Sequence, residues 1–231
     1  MNRMQKSLHK YFPIFVLPTL IAFTIAFLVP FIMGVWLSFC DFNVITDATF
    51  VGLNNYIRAF TDPSSNFLYS LWFTVKFAVV TVISVNVIAF ALALLLTRGL
   101  RGTNLFRSVF FAPNLIGGIV LGYVWKTIID AFLSRFDVTL LIDAKYGFWG
   151  LVMVMNWQLV GYMMSIYIAG IQNIPGELRE AAAIDGACNW QNLIYVTLPM
   201  VMPSVTICTF LTLTNSFTLY DQNLALTAGG P

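Results

Sequence analysis

Apolar residues in this chain come in long unbroken runs, not in alternation. From Tyr11 to Phe39 there is no charged side chain, a run longer than the roughly 20 residues that carry a helix across a bilayer. Further runs cover Leu71–Thr97, Phe106–Trp125, Tyr146–Ile174 and Met200–Tyr220. Hydrocarbon offers the backbone no hydrogen-bond partners, so segments of this length must be helical. The pattern predicts an all-α, polytopic membrane bundle with five spanning helices. The first run is a span and not a cleavable signal, whose apolar core would be short and would end at small residues; here Trp36, Phe39 and Phe42 follow. Pro13, Pro18 and Pro30 bend or delimit it. The third run is broken by Pro113 and loosened by Gly117, Gly118 and Gly122. Gly118 and Gly122 share a helix face on which a neighbour can approach closely. Pro113 frees a backbone carbonyl, and Asn114 beside it offers a donor and an acceptor at membrane depth.

The polar connections set the topology. Residues 1–10 carry Arg3, Lys6, His9 and Lys10 and form a cytoplasmic amino-terminal segment, ahead of a membrane domain over residues 11–231. Arg98, Arg101 and Arg107 make a second basic connection on the same side. Cys40–Ser70, with Asp41, Asp47 and Asp62 against Arg58 alone, suits the outer side, as does Lys126–Lys145, where the charges cancel. Within the former, Gly52 to Tyr56 opens a short interfacial helix capped at its start, either a packing loop or a functional one. Lys76, near the outer end of the second span, snorkels to the headgroups or contacts a substrate.

Composition agrees: 59% of the 231 residues are hydrophobic and 10% charged, against about 25% charged in soluble domains. A net charge of +2, with no basic cluster, excludes a nucleic-acid partner. Cys40, Cys188 and Cys208 are odd in number and scattered, so they read as buried small apolar residues and not as a disulfide framework. No phosphate-binding Gly-rich loop, metal cluster or nucleophile-base pair is present, so the sequence names no catalytic residue, metal site or cofactor of its own. Tyr220-Asp221 resembles half of an intramembrane aspartyl protease pair and lacks the second aspartate.

Polar side chains inside spans are costly, so they mark candidate chemistry. In the fourth span Gln158, Tyr162 and Ser165 fall at i, i+4 and i+7, near Asn156 and Trp157. Amides and hydroxyls beside aromatic faces suit a sugar; interhelical hydrogen bonding would use the same residues. In the fifth span Thr206, Thr209, Thr212 and Ser216 form a stripe near Asn215, which suggests a hydrated cavity, although a lone hydroxyl commonly bonds its own helix.

Between these two spans lies Glu180-Ala181-Ala182-Ala183-Ile184-Asp185-Gly186, followed after nine residues by Val196-Thr197-Leu198-Pro199. The alanines favour a helix, Gly186 can end it with positive φ, and Pro199 suits the first turn of the next span. Small residues let a partner approach, and Glu180 and Asp185 can meet its arginines. The spacing resembles the EAA loop of ATP-binding cassette importer permeases: Glu-Ala-Ala, three residues, Gly, nine residues, Ile-x-Leu-Pro, with Val196 in place of Ile. Trp190-Gln191 and the stretch from Tyr220-Asp221-Gln222 to Thr227-Ala228-Gly229-Gly230-Pro231 are similar to the carbohydrate branch, including the larger maltose permease. Leu213-Thr214-Asn215-Ser216-Phe217 resembles permeases for raffinose-like and multiple sugars.

The resemblance implies a type I importer permease in a bacterial plasma membrane, with a sixth helix expected beyond the given chain. It implies that a coupling loop over residues 176–199 contacts a separate ATPase through Glu180, Ala181, Ala182, Asp185, Gly186, Leu198 and Pro199. ATP and magnesium would then act on that partner, an ATP-binding cassette ATPase dimer. It further implies a second permease subunit, an extracellular or periplasmic sugar-binding protein and surrounding membrane lipid as partners. Sugar contacts carried over by position fall at Asn114, Gly118, Gln158, Leu159, Tyr162, Thr212, Asn215 and Ser216. A permease of the same superfamily for glycerol phosphate or an amino acid remains open, as does a secondary transporter, for which only Lys76 would serve as an intramembrane ion-coupling group.

Overall fold

The computed structural model describes residues 3–99, 102–141 and 143–229. Arg101 of the second basic connection and the Gly230-Pro231 ending lie outside the described residues, as do Met1 and Asn2. The chain separates into two compact units, Met1–Tyr69 and Ser70–Pro231.

The first unit holds α1 (Arg3–Phe23) and α2 (Val29–Ser38), joined by a π-helical turn over Thr24–Leu28 into one apolar rod whose crossing segment is Ile14–Ser38. The wide turn stands immediately before Pro30, which has no N–H to give and whose ring crowds the preceding turn; a π turn relieves both. A two-stranded ribbon, β1 (Cys40–Asp41) with β2 (Thr49–Phe50), and α3 (Asn54–Thr61) follow. The expected start cap of α3 is absent: Leu53 precedes it with no side-chain cap. Asn55 instead donates to Ser38 O at 3.1 Å, a carbonyl left open at the end of α2, and to Cys40 O of β1 at 2.8 Å.

The second unit contains α4 (Phe67–Leu96) from its fourth residue on, then α5 (Thr103–Phe111), α6 (Gly118–Leu133), α7 (Ala144–Gln172), α8 (Gly176–Ile184), α9 (Asn189–Asn192), α10 (Leu198–Phe217) and α11 (Asp221–Thr227). Among the described residues four helices of the chain are long and apolar enough to cross a membrane, or five if α5 and α6 count as one bent span. That pair departs from the expected single span over Phe106–Trp125. Pro113 opens a 3₁₀ turn, Ala112–Leu115, and the break falls after it, where Ile116 and Gly117 are extended and the axis bends by 102°. Helical structure then continues through Phe136, into the segment expected as an external connection.

Helix α7 is the hub. Its buried face carries Leu151, Met155, Met163, Met164 and Tyr167, against Phe77, Val85, Ala89 and Ala93 of α4 and Val201 and Cys208 of α10. Gly161 lets α5 come so close that a side chain there would meet the Phe110 carbonyl. Gly118 and Gly122 act as expected, and the neighbour they admit is α11: a Cβ at Gly122 would stand 2.6 Å from Ala225 Cβ. Cys40 and Cys208 are buried as expected, but Cys188 is exposed, because it caps α9 in the polar connection.

Candidate functional site

The two predicted stripes behave differently. On α7, Gln158 is 9% exposed and accepts a hydrogen bond from Gln222 Nε2 at 3.0 Å; its own Nε2 lies 3.5 Å from Ile116 O. The carbonyl engaged at the helix break is therefore that of Ile116, three residues past Pro113, whose carbonyl accepts from Ile116 N. Gly118 lies beside this chain of amides, packed on Asp221 and Gln222 of α11. Tyr162, half-buried, meets Phe111 edge-to-face at 6.1 Å, and Trp157 meets Trp125 at 5.4 Å. Asn114 sits half-buried in the 3₁₀ turn and Leu159 is in the core. The structure thus gathers Gly118, Gln158 and the Tyr162–Phe111 pair around the break in α5–α6.

Gln222 belongs to that cluster although no periodicity singles it out, since α11 is short; it packs on α6 and also touches α7 directly. Ser165 donates to Gly161 O, and Asn156 donates to Ser84 Oγ at 2.9 Å and Val152 O at 2.8 Å, with its Oδ1 buried and unpartnered among the described residues. Those two make the interhelical and intrahelical bonds of a membrane bundle.

On α10, Thr206, Thr212, Asn215 and Ser216 donate to the carbonyls of Met202, Cys208, Leu211 and Thr212 in their own helix. Thr212 is fully buried, and Ser216 lines a void of about 90 Å³ with Phe73, Phe77 and Asn223. Such i to i−4 bonding is the cheapest way to satisfy a hydroxyl in an apolar setting, and it is available whether or not the same face lines a hydrated cavity. Lys76 lies over the Trp72 ring at 5.3 Å, a cation–π contact that accompanies its stem toward the helix end.

The connection between α7 and α10 is ordered by its own sequence. Glu180, Ala181 and Ala182 lie in α8, which ends where Gly186 adopts φ +77°. Gly186 N donates to Ala183 O at 3.1 Å and Ala187 N to Ala182 O at 2.9 Å, closing the end that a glycine at this position permits. Glu180, Ala181, Asp185, Gly186, Leu198 and Pro199 are exposed and Ala182 is half-buried. Ile184 is 85% exposed and Tyr195 75%, large apolar surfaces on an otherwise polar turn. Pro199 falls in the first turn of α10, as expected, and a π turn at Leu193–Thr197 just ahead of it joins that helix to α9, so that helical structure runs from Asn189 to Phe217. Arg179 ties α8 to α7, its Nη2 donating to Ile171 O at 3.1 Å.

Residues 101–231 match the family described as binding-protein-dependent transport system inner membrane component. The chain is 45% identical over 226 residues to the probable starch degradation products transport system permease protein AmyD of Thermoanaerobacterium thermosulfurigenes, covering 94% of this chain and 77% of that one. It is 30% identical over 238 residues to the multiple sugar-binding transport system permease protein MsmF of Streptococcus mutans serotype c, covering 98% and 81%. Its fold is similar to a chain in the crystal structure of a bacterial ABC transporter involved in the import of the acidic polysaccharide alginate, with a TM-score of 0.75 at 19% identity over 97% of this chain and 84% of that one. With more than half of its length in that family and its spans arranged as in an ABC importer, the chain belongs to the inner membrane components of binding-protein-dependent transport systems, as a multi-pass permease and not an enzyme.

Proposed function

We infer that this permease moves a carbohydrate of the oligosaccharide class as one half of a translocation pathway, driven by a separate ATPase that grips α8. The observation that carries the reading is the exposed Glu180–Gly186 turn between two spans, held by Arg179 to the helix that carries Gln158 and Tyr162. The sugar named for the similar permeases supports the substrate class. A second permease, an ATPase dimer bearing ATP and magnesium, and an external sugar-binding protein complete the assembly, and the amino terminus lies in the cytoplasm of a cell with this chain in its plasma membrane.

In this reading the substrate meets Asn114, Gly118, Gln158, Leu159, Tyr162, Thr212, Asn215 and Ser216 as α5–α6 and α10 reorient about α7. ATP and sugar act at different places on one two-state assembly, so each changes the other's affinity through the same equilibrium. The coupling surface is Glu180, Ala181, Ala182, Asp185 and Gly186, with Leu198 and Pro199 at the root of the returning helix.

The test is copurification of the ATPase with a Gly186→Val variant. At φ +77° a β-branched residue is strained whatever the space around it, so the turn must rearrange. Loss of the ATPase with retained membrane insertion is expected, together with loss of ATP-dependent uptake of labelled oligosaccharide. Normal copurification with this variant would falsify the docking assignment, and uptake of glycerol phosphate or an amino acid in place of sugar would overturn the substrate class.

A further inference from the structure

The ends of α4 and α7 and the segments α8 and α9 border an open cavity of about 800 Å³, lined by Leu94, Arg98, Ile171, Arg179, Asn189 and Leu193 among others, with no acidic residue among the described lining residues. Arg98 follows the last turn of α4, is exposed, and makes no side-chain hydrogen bond or ion pair among the described residues. Arg179 is half-buried: Nη2 is taken by Ile171 O, while Nε is buried and has no partner among the described residues. A guanidinium offers five donors in a rigid fork, and this one leaves a shielded donor unmatched.

The carbonyl ends of α4 and α7 offer some compensation. Each helix end carries roughly half a negative charge, against a full positive charge on each arginine, so about one unit of positive charge remains for an anion to balance. Planar guanidinium groups match phosphate oxygens in pairs. The depth agrees: α4 and α7 both span, and they end at Leu96 and Gln172, so the cavity lies where the chain leaves the hydrocarbon. Apolar Leu94, Ile171 and Leu193 adjoin the basic groups, as an amphiphile with a charged head requires. None of Glu180, Ala181, Ala182, Asp185, Gly186, Leu198 and Pro199 lines the cavity, although Arg179, Asn189 and Leu193 belong to the same 176–199 connection.

We propose that this cavity is a phosphate-binding site, filled by the headgroup of an anionic phospholipid or by a soluble phosphate compound. The site needs no ATPase, so its test is independent of the importer reading. The delipidated full chain is titrated in detergent with phosphatidylglycerol or phosphatidylcholine, and bound lipid is counted by native mass spectrometry. Phosphatidylglycerol is retained over phosphatidylcholine, and its affinity falls about fivefold for each arginine removed, in Arg98→Gln and then in Arg98→Gln with Arg179→Gln. Arg98→Lys restores most of the loss, and because residue 98 is exposed the single Arg98 variants leave the core and the Arg179 tie between α8 and α7 intact. Inorganic phosphate that displaces phosphatidylglycerol identifies a site open to soluble phosphate; retention of the lipid in excess phosphate identifies a headgroup site. Equal retention of the two lipids, or unchanged phosphatidylglycerol retention in Arg98→Gln, overturns the proposal.

Discussion

Replacing Gly122 by alanine tests how the amide cluster at the helix break is held together. The new Cβ would stand 2.6 Å from Ala225 Cβ and 3.2 Å from Gln222 O, so to reach ordinary contact α11 must back away from α6 by about 1 Å. The bond from Gln222 Nε2 to Gln158 Oε1 is 3.0 Å long, and a retreat of that size takes it beyond any geometry that counts as a hydrogen bond. Overpacking costs about 1–3 kcal/mol and the lost bond about 0.6–1.5 kcal/mol, while the better helix propensity of alanine offsets at most about 1 kcal/mol. Destabilisation should therefore prevail. Denaturation of the purified permease, followed by tryptophan fluorescence, reads the difference. The decisive comparison is a double-mutant cycle with Gln222→Met, which costs about 1 kcal/mol alone and less than about 0.5 kcal/mol in the Gly122→Ala background, where the bond is already gone. Additive costs, or a Gly122→Ala protein as stable as the parent, would refute the reasoning that α11 is positioned by that glycine.

Gly161→Ala should be more damaging, at about 3 kcal/mol or more, because its Cβ meets backbone of α5 that cannot rotate aside; Gly117→Ala, at the break but with open space around it, should stay within about 0.5 kcal/mol in the same denaturation assay. Tyr167→Phe removes the 2.6 Å bond to Asn86 Oδ1 while keeping the ring against Phe90, and a loss of about 1–3 kcal/mol is expected from the amide oxygen left behind. Asp62, outside the spans, accepts from Ser64 Oγ at 2.7 Å and Ser64 N at 2.9 Å, and the side-chain bond first, then the backbone one, holds its carboxyl below the ordinary range. A depressed folded value means that the turn is fully supported above the unfolded value of about 3.9 and released as pH falls through the lower folded one, so the Ser64 amide resonance should titrate only in that acid window and not at all in Asp62→Asn.

The spans were legible because hydrocarbon forces length and apolarity on any helix that crosses it, which is why Ile14–Ser38 and Ala144–Gln172 fall inside or beside the expected runs. The turn at Glu180–Gly186 was legible for a local reason, since three alanines and one glycine determine a short helix and its end. What could not be read depends on partners distant in the chain. Pro113 marks a disturbance, but the 102° bend sits at Ile116 and Gly117, where Gln158 from 42 residues away donates to the open Ile116 carbonyl. Gln222 gives no periodic signal because α11 is too short to show one. The hydroxyls of α10 satisfy the same spacing rule whether they face a cavity or their own carbonyls, and hydropathy does not distinguish the two. Asn55 illustrates the same point: it lies at the start of one helix and completes the end of another.

The π turn at Leu193–Thr197 holds one more residue than an α turn would, and it interrupts the α ladder of the rod that rises from Asn189 into α10. Because helical structure continues through that turn, a displacement at the foot of the rod is carried toward Cys208 and Thr212 along one unbroken backbone.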